Sequence, residues 1–336
     1  MPLLLAPDEP GLDALRSELT RRTLITSAGL AALLTACGGA PEPAPEPGRT
    51  RTVVHALGTA EVPVAPQRVV SLDSNGALQV GLELGAPLVA SETLDGAVSV
   101  PPYVPAPPPG FEPLGFNQLD LERVAALRPD LIIGNVPRVE PAYPELSRIA
   151  PTVAYRNAGA GQDWRESVRA IGDVLGALPR VEEGLARYAA RVADVAARHA
   201  DLIAGATVAL LRFTSSELRI VRGEIFGASI LAHAGIRRPP STDTPGPSAT
   251  YVSLTDETVG VTADADVLLY FVGGGGSAVD AAATAQRYTS GELWQQLPAV
   301  RAGRVVELDP VAWWDGYSVS AAMACLDELD AALARL

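Results

Sequence analysis

Arg212-Phe213, Tyr270-Phe271 ahead of Gly273, and Trp313-Trp314 with Tyr317 place guanidinium and aromatic groups where apolar runs give way to loops. Phe226 lies close to the first pair in sequence. In the first half of the chain, Ser74 and Asn75, Leu94 and Asp95, Asn135 and Arg138, and Tyr155 and Arg156 stand in the same kind of position. Arginines and ring faces hold bulky polar or anionic small molecules, so this is the inventory of a binding cleft. The groups that would carry catalysis are badly placed by comparison. A zinc or manganese site needs three or more converging histidines and carboxylates, and His55, His199 and His233 all lie away from the strand-end loops. All 26 basic residues are arginine, which removes P-loop and Schiff-base lysines. Gly273-Gly274-Gly275-Gly276-Ser277 could cradle an anion, but no Lys-Ser or Lys-Thr follows, and a cleft-rim loop is the better reading. Gly227-Ala228-Ser229-Ile230-Leu231 lacks the closing glycine of a nucleophile elbow and opens an ordinary helix, leaving a hydrolase as the weaker alternative. No enzyme and no resident cofactor or metal is expected.

The elements that position these groups alternate. Residues 68–73, 87–91, 129–134 and 152–155 are short apolar runs that read as buried parallel strands, separated by helical patterns at 76–85, 119–127 and 143–149. Residues 101–109 are proline-dense and must be irregular. From Trp164 to Asp201 apolar residues keep a helical period with one break near Pro179, far longer than a crossover helix. Strands then resume at 207–213, 218–221, 267–272 and 304–308, with helices at 229–234, 255–262, 291–297 and 318–336. The expected fold is therefore α/β: two Rossmann-like lobes with parallel sheets, 51–160 and 204–336, joined by a long connector helix within 161–203, with a ligand cleft between the lobes.

The N-terminus carries an address. Thr20-Arg21-Arg22 precedes an apolar run from Leu24 to Ala36, too short for a membrane span of roughly 30 Å but suited to a signal peptide. Leu34-Thr35-Ala36-Cys37 resembles a bacterial lipoprotein signal, with Cys37 as the lipidated residue, and the arginine pair resembles a twin-arginine export signal. Residues 37–50 alternate proline with glutamate and alanine and read as an extended tether. Removing residues 1–36 takes away four acids and three arginines, so the formal charge of −13 becomes −12. Such a surface excludes nucleic acid as a partner. Cys325 is then left single in a helical apolar pattern, and no disulfide is expected.

Five blocks, 68–91, 119–135, 143–155, 210–239 and 293–309, run in one order that resembles the iron-siderophore-type (class III) periplasmic binding proteins of ABC importers; Leu121-Glu122-Arg123-Val124-Ala125-Ala126-Leu127-Arg128-Pro129-Asp130-Leu131-Ile132-Ile133-Gly134 is the most specific of them. The resemblance implies a monomeric lipoprotein on the outer face of the membrane, a cleft that closes only slightly, and delivery of a ferric siderophore to a permease. It implies ligand contacts from Arg212 and from one of Trp313 and Trp314; Tyr317, Phe226, Phe271, Asn75, Asp95, Arg138 and Arg156 are further candidates from their place at the loop ends alone. It also implies that Glu122 and Glu257, one exposed glutamate per lobe in the first turn of a predicted helix, dock into the permease. Haem, with Tyr155, Tyr270 or Tyr317 as axial ligand, and a corrinoid remain alternative cargoes.

Overall fold

The computed structural model describes residues 48–94, 99–157, 163–243, 250–275 and 278–336. The expected signal peptide, Cys37 and Asp95 lie outside the described residues. Strands β1 (Thr50–His55) and β2 (Gly58–Pro63) form an antiparallel hairpin that the sequence reading did not anticipate. Only Val53 and Val62 of the hairpin are buried, so it lacks the alternating apolar signal of a half-buried strand.

The first sheet contains β3 (Val69–Ser71), β4 (Leu88–Ser91), β5 (Glu112–Pro113), β6 (Leu131–Asn135) and β7 (Thr152–Tyr155), all parallel, in the order β5-β4-β3-β6-β7. Helix α1 (Gly76–Glu83) follows β3, and α2 (Leu121–Ala126) precedes β6, capped by Asp120, whose carboxylate accepts from the Arg123 amide. The chain moves outward from β3 to β4 and returns to β6 on the other side. The loops after β3 and β6 therefore open at a topological switch point, where open α/β sheets bind ligands.

The connector is two helices, α3 (Trp164–Val174) and α4 (Leu178–Arg198). The break falls at Gly176, whose φ of 69° ends the first helix, while Pro179 sits in the first turn of the second. The second sheet follows: β8 (Val208–Phe213), β9 (Leu218–Val221), helix α5 (Phe226–His233), β10 (Tyr251–Leu254), β11 (Val267–Val272) and β12 (Val305–Leu308), in the order β10-β9-β8-β11-β12. Strands β8, β11 and β12 are parallel, as expected, but β9 and β10 run antiparallel to their neighbours. Thr214–Glu217 is far too short for a parallel crossover and closes instead as a hairpin turn, Thr214 N–H donating to the Glu217 carbonyl at 2.9 Å. This sheet also has a switch point, between β8 and β11. Helices α6 (Pro310–Trp313) and α7 (Val319–Leu333) complete the chain.

The predicted helix at 255–262 is not there. Thr255 and Thr258 each accept the other's backbone amide through their hydroxyls, which fixes a turn, and a short 3₁₀ helix, Val259–Asp264, begins only after it. Glu257 is thus exposed in a turn and has no helix dipole to stabilise it; Glu122 does lie in the first turn of α2.

One apolar core runs through both lobes, joining Val69, Leu78 and Leu131 to Trp164 and Tyr188 of the connector and on to Leu210, Phe226, Phe271, Trp313 and Leu326. Trp164 stands edge-on to both Tyr188 and Phe226, with centroids 5.2 Å away in each case. On the surface, Arg191 of α4 reaches Asp327 and Asp330 of α7 at 2.8 and 3.0 Å. The described residues accordingly form one compact unit. The contact between α5 and α6 is close: a β-carbon on Gly227 would sit 2.4 Å from the Trp313 carbonyl oxygen, whereas one on Gly223 would meet nothing. Gly227→Ala should therefore cost about 1–3 kcal/mol in denaturant unfolding and Gly223→Ala close to nothing; equal midpoints for the two variants would refute this packing.

Candidate functional site

The two switch points face each other. Between them lies a cleft of about 360 Å³ lined by Asn75, Phe116, Arg138 and Asn157 from the first lobe and by Arg212, Arg219, Gly275, Trp314, Asp315 and Tyr317 from the second. Of the sequence candidates, Asn75, Arg138, Arg212, Trp314 and Tyr317 meet there.

Arg212, next to last in β8, stands directly opposite Arg219 on β9. Two cations in a cross-strand pair repel, so each is held by other means. The Arg212 guanidinium lies 3.7 Å from the Trp314 ring centroid, donates from Nε to the Gly273 carbonyl at 2.8 Å and from a terminal nitrogen to the Gly274 carbonyl. Left-handed backbone at Gly273, Gly274 and Gly275, with φ of 89°, 78° and 58°, turns those carbonyls toward it. The glycine run thus serves a cation, through its carbonyls. Arg219 lies 3.7 Å over the Tyr251 ring and reaches Glu217 at 2.6 Å. Burial, reinforced by Arg219, pulls the Arg212 guanidinium down to about 10, with Asp315 opposing. It stays charged at neutral pH.

From the first lobe, the Asn135 side chain caps the turn that presents Arg138, accepting the Arg138 amide at 3.2 Å. Arg138 stands 3.6 Å from Glu92, a carboxylate 2% exposed, and 5.9 Å from the Phe116 ring. Burial raises the Glu92 carboxyl, partly offset by Arg138. Asp73, 2% exposed, organises the loop behind it by accepting from the Tyr155 hydroxyl and from the Asn75 and Ala77 amides at 3.1 and 3.3 Å. Burial and Asp73 together push the Tyr155 hydroxyl well above its usual range.

Asp315, which the sequence reading passed over, ties the cleft together. Its carbonyl accepts from Asn75 Nδ2 and from Gln79 Nε2, both at 2.7 Å, across the two lobes. Gln79 is fully buried on α1 and also accepts the Tyr317 amide at 3.2 Å and the Tyr103 hydroxyl at 3.3 Å. The Asp315 carboxylate receives the Gly275 amide at 3.1 and 3.2 Å, and burial, opposed by that bond and by Arg212, pushes it up to about 6.

Other candidates fall elsewhere. Trp313 is fully buried and donates Nε1–H to Glu328 at 2.6 Å; Phe226 and Phe271 are fully buried as well. They are core, and they back the cleft through its lining rings: Phe226 lies 5.4 Å from Tyr317 and Phe271 lies 6.3 Å from Trp314. Arg156 is exposed and lines a separate groove with His55, Glu166 and Ser167. The histidines serve local structure: His55 meets the Tyr143 hydroxyl at 3.2 Å, His199 meets Asp330 at 2.7 Å, and His233 meets the Tyr188 hydroxyl at 2.6 Å. Sequence reading missed Arg219, Asn157, Phe116 and Asp315. Arg219 was recoverable once 214–217 is read as a hairpin turn, since that register sets it opposite Arg212.

Residues 70–312 match the family described as periplasmic binding protein. The probable siderophore-binding lipoprotein YfiY of Bacillus subtilis is 32% identical over 289 residues, 84% of this chain and 87% of its own. Among solved structures, Staphylococcus aureus SirA complexed with staphyloferrin B superposes with a TM-score of 0.74 at 24% identity, over 85% of this chain and 99% of that one. The siderophore periplasmic binding protein from the fuscachelin gene cluster of Thermobifida fusca gives 0.65 at 27% identity, over 82% and 99%.

Of the four tryptophans, Trp164, Trp294 and Trp313 are 3% exposed or less, whereas Trp314 is partly open to the cleft. Acrylamide should therefore quench the emission chiefly through Trp314, and Trp314→Phe should flatten the quenching slope. An unchanged slope would mean that the indole is not in the cleft.

Proposed function

We propose that this chain, which belongs to the periplasmic binding protein family, captures a ferric siderophore outside the cell and delivers it to an ABC importer, without catalysis and without a resident cofactor. The observation that carries this reading is the cross-strand pair Arg212 and Arg219, held on aromatic faces at the floor of a two-lobed cleft. An unneeded like-charge pair would be a net cost; one facing a bulky anionic chelate is a binding device. The similarity to a probable siderophore-binding lipoprotein supports the same cargo. Arg212, Arg138, Asn75, Trp314 and Tyr317 are the ligand contacts in this reading, and Phe226, Phe271 and Trp313 shape the wall from behind.

Lipidation of Cys37 would keep the protein at the outer face of the membrane, with residues 37–50 as its tether; among the described residues no helix is long and apolar enough to cross a bilayer. The lipoprotein names of relatives agree with such an anchor. Twin-arginine export would let the protein cross already folded. The lobes proper would span 51–160 and 204–336 and act as a monomer. Glu122 and Glu257, both exposed, are the proposed contacts to arginines of the permease. Asp256 is the weaker choice for the second contact, because it already pairs with Arg287.

Titrating purified protein with a panel of ferric siderophores, haem and cobalamin, read by tryptophan quenching, tests the cargo. Saturable quenching by at least one ferric siderophore is expected, and Arg212→Ala should weaken it by roughly 10-fold or more, the loss of a charge-assisted contact. Binding of haem or cobalamin alone would replace the reading. The paired substitution Glu122→Ala with Glu257→Ala should leave chelate affinity unchanged and abolish import; normal uptake in that variant would remove the docking role.

A further inference from the structure

Each cleft arginine has an acid behind it, and one of those acids is built to change charge. Asp315 is 8% exposed and lines the cleft. A carboxylate can accept about four hydrogen bonds. Among the described residues its oxygens share a single donor, the Gly275 amide. The backbone that carries it is fixed at the cleft, because its own carbonyl is held at 2.7 Å by Asn75 and by Gln79 of the opposite lobe. Arg212 directs hydrogen bonds to Gly273 and Gly274 and rests on Trp314, so it is oriented by partners other than this acid. The remaining groups around Asp315 are Arg219 beside Arg212, the Tyr103 hydroxyl, and the Tyr317 hydroxyl, which also faces Asp73. The cleft wall across from it holds Arg138 with Glu92.

We propose that Asp315 couples binding to protonation in a cleft whose arginines, Arg138, Arg212 and Arg219, select anionic chelates: ionised before binding, it takes up a proton when an anionic ferric chelate occupies the cleft, so that affinity for such chelates rises as pH falls. The proposal rests on the ferric-chelate reading above and adds the charge class of the cargo. Two anions cannot share one poorly solvated site, and the one that can be neutralised is the one that yields. Burial already holds this carboxyl at about 6, so near neutral pH it is mostly ionised and a second negative charge suffices to protonate it. The sign follows from linkage. Binding raises the pKa, the complex holds more protons than the free protein, and affinity therefore climbs as pH drops from about 8 toward 6, by at most tenfold per pH unit for one proton. A cationic chelate would show the opposite slope.

Isothermal titration of ferric dicitrate, a ferric tris-catecholate and the cationic ferrioxamine B, at pH 7 in phosphate and in Tris, measures the protons exchanged. The expected result is uptake of roughly half a proton or more per anionic chelate by the native protein beyond that of Asp315→Asn. The amide variant should bind the anionic chelates several-fold more tightly at pH 7, with a flatter pH profile. Protons of the chelates themselves enter equally with both proteins and cancel. Should Asp315→Asn fail to fold, the native protein decides alone: affinity for an anionic chelate that does not rise between pH 8 and 6, or equal heats in the two buffers, overturns the proposal. Preference for ferrioxamine B over the anionic complexes overturns it too, while leaving siderophore capture intact. Absence of binding by every chelate overturns siderophore capture itself, and the coupling with it.

Discussion

Burying Arg212 is the constraint around which the rest of the cleft is arranged. A guanidinium 3% exposed, with a second one directly opposite on the next strand, has to be compensated from several sides. The Trp314 face supplies one, worth about 0.5–2 kcal/mol for a cation on an aromatic ring. The carbonyls of Gly273 and Gly274 supply another, and they can turn inward only because their backbone is left-handed. Asp315 supplies the opposite charge. Three separate segments, the end of β8, the glycine loop after β11 and the loop between α6 and α7, are thereby fixed relative to one side chain.

The same loop is what joins the lobes at the cleft. The Asp315 carbonyl and the Tyr317 amide both bond to Gln79, a residue with no exposure on a helix of the other lobe. A buried amide that satisfies donors and acceptors from both sides costs its full desolvation if any partner leaves. The floor of the cleft is therefore hydrogen-bonded across both lobes as well as charged. Together with the apolar core that continues through Trp164 and Tyr188, this meets an entering ligand with groups already in place, so little ordering entropy is lost on binding.

Much of this arrangement was legible in the sequence, and what was not had a physical cause. Fully buried parallel strands such as Val208–Phe213 read clearly because both faces are apolar. The β1–β2 hairpin did not, since it buries one residue per strand and presents threonine, arginine and glutamate to water. The helix expected over 255–262 failed where two threonine hydroxyls took over backbone amides, a competition that helical periodicity cannot register. At the site, Arg212 was recognisable because a cation closing an apolar strand is seldom core. Trp313 and Trp314 could not be told apart, as adjacent residues of one type differ only in the direction the short α6 helix gives them; the structure buries the first against Glu328 and lays the second under Arg212. Asp315 carries no sequence signal that sets it apart from other loop acids such as Asp95, and only the structure shows its carbonyl bridging the lobes and its carboxylate on the glycine loop.

A pre-built cleft also bears on how a binding protein could signal that it is loaded. If the lobes scarcely move, a permease reading only the distance between two surface contacts would have little to distinguish loaded from free protein. Glu122, at the N-terminus of α2, and Glu257, in the turn after β10, belong to different lobes, so even a small rotation is registered at both at once. The elements carrying them run back to the cleft: Arg123, next to Glu122, is tied at 2.5 Å to Glu112 on the strand beside β4, and β10 pairs with the strand that bears Arg219. A ligand that drew Arg138 and Arg219 together would therefore act on both proposed contact points through these elements. In the proposed reading, the charges that would hold the cargo and the glutamates that would meet the permease are joined through these elements, although they face different surfaces.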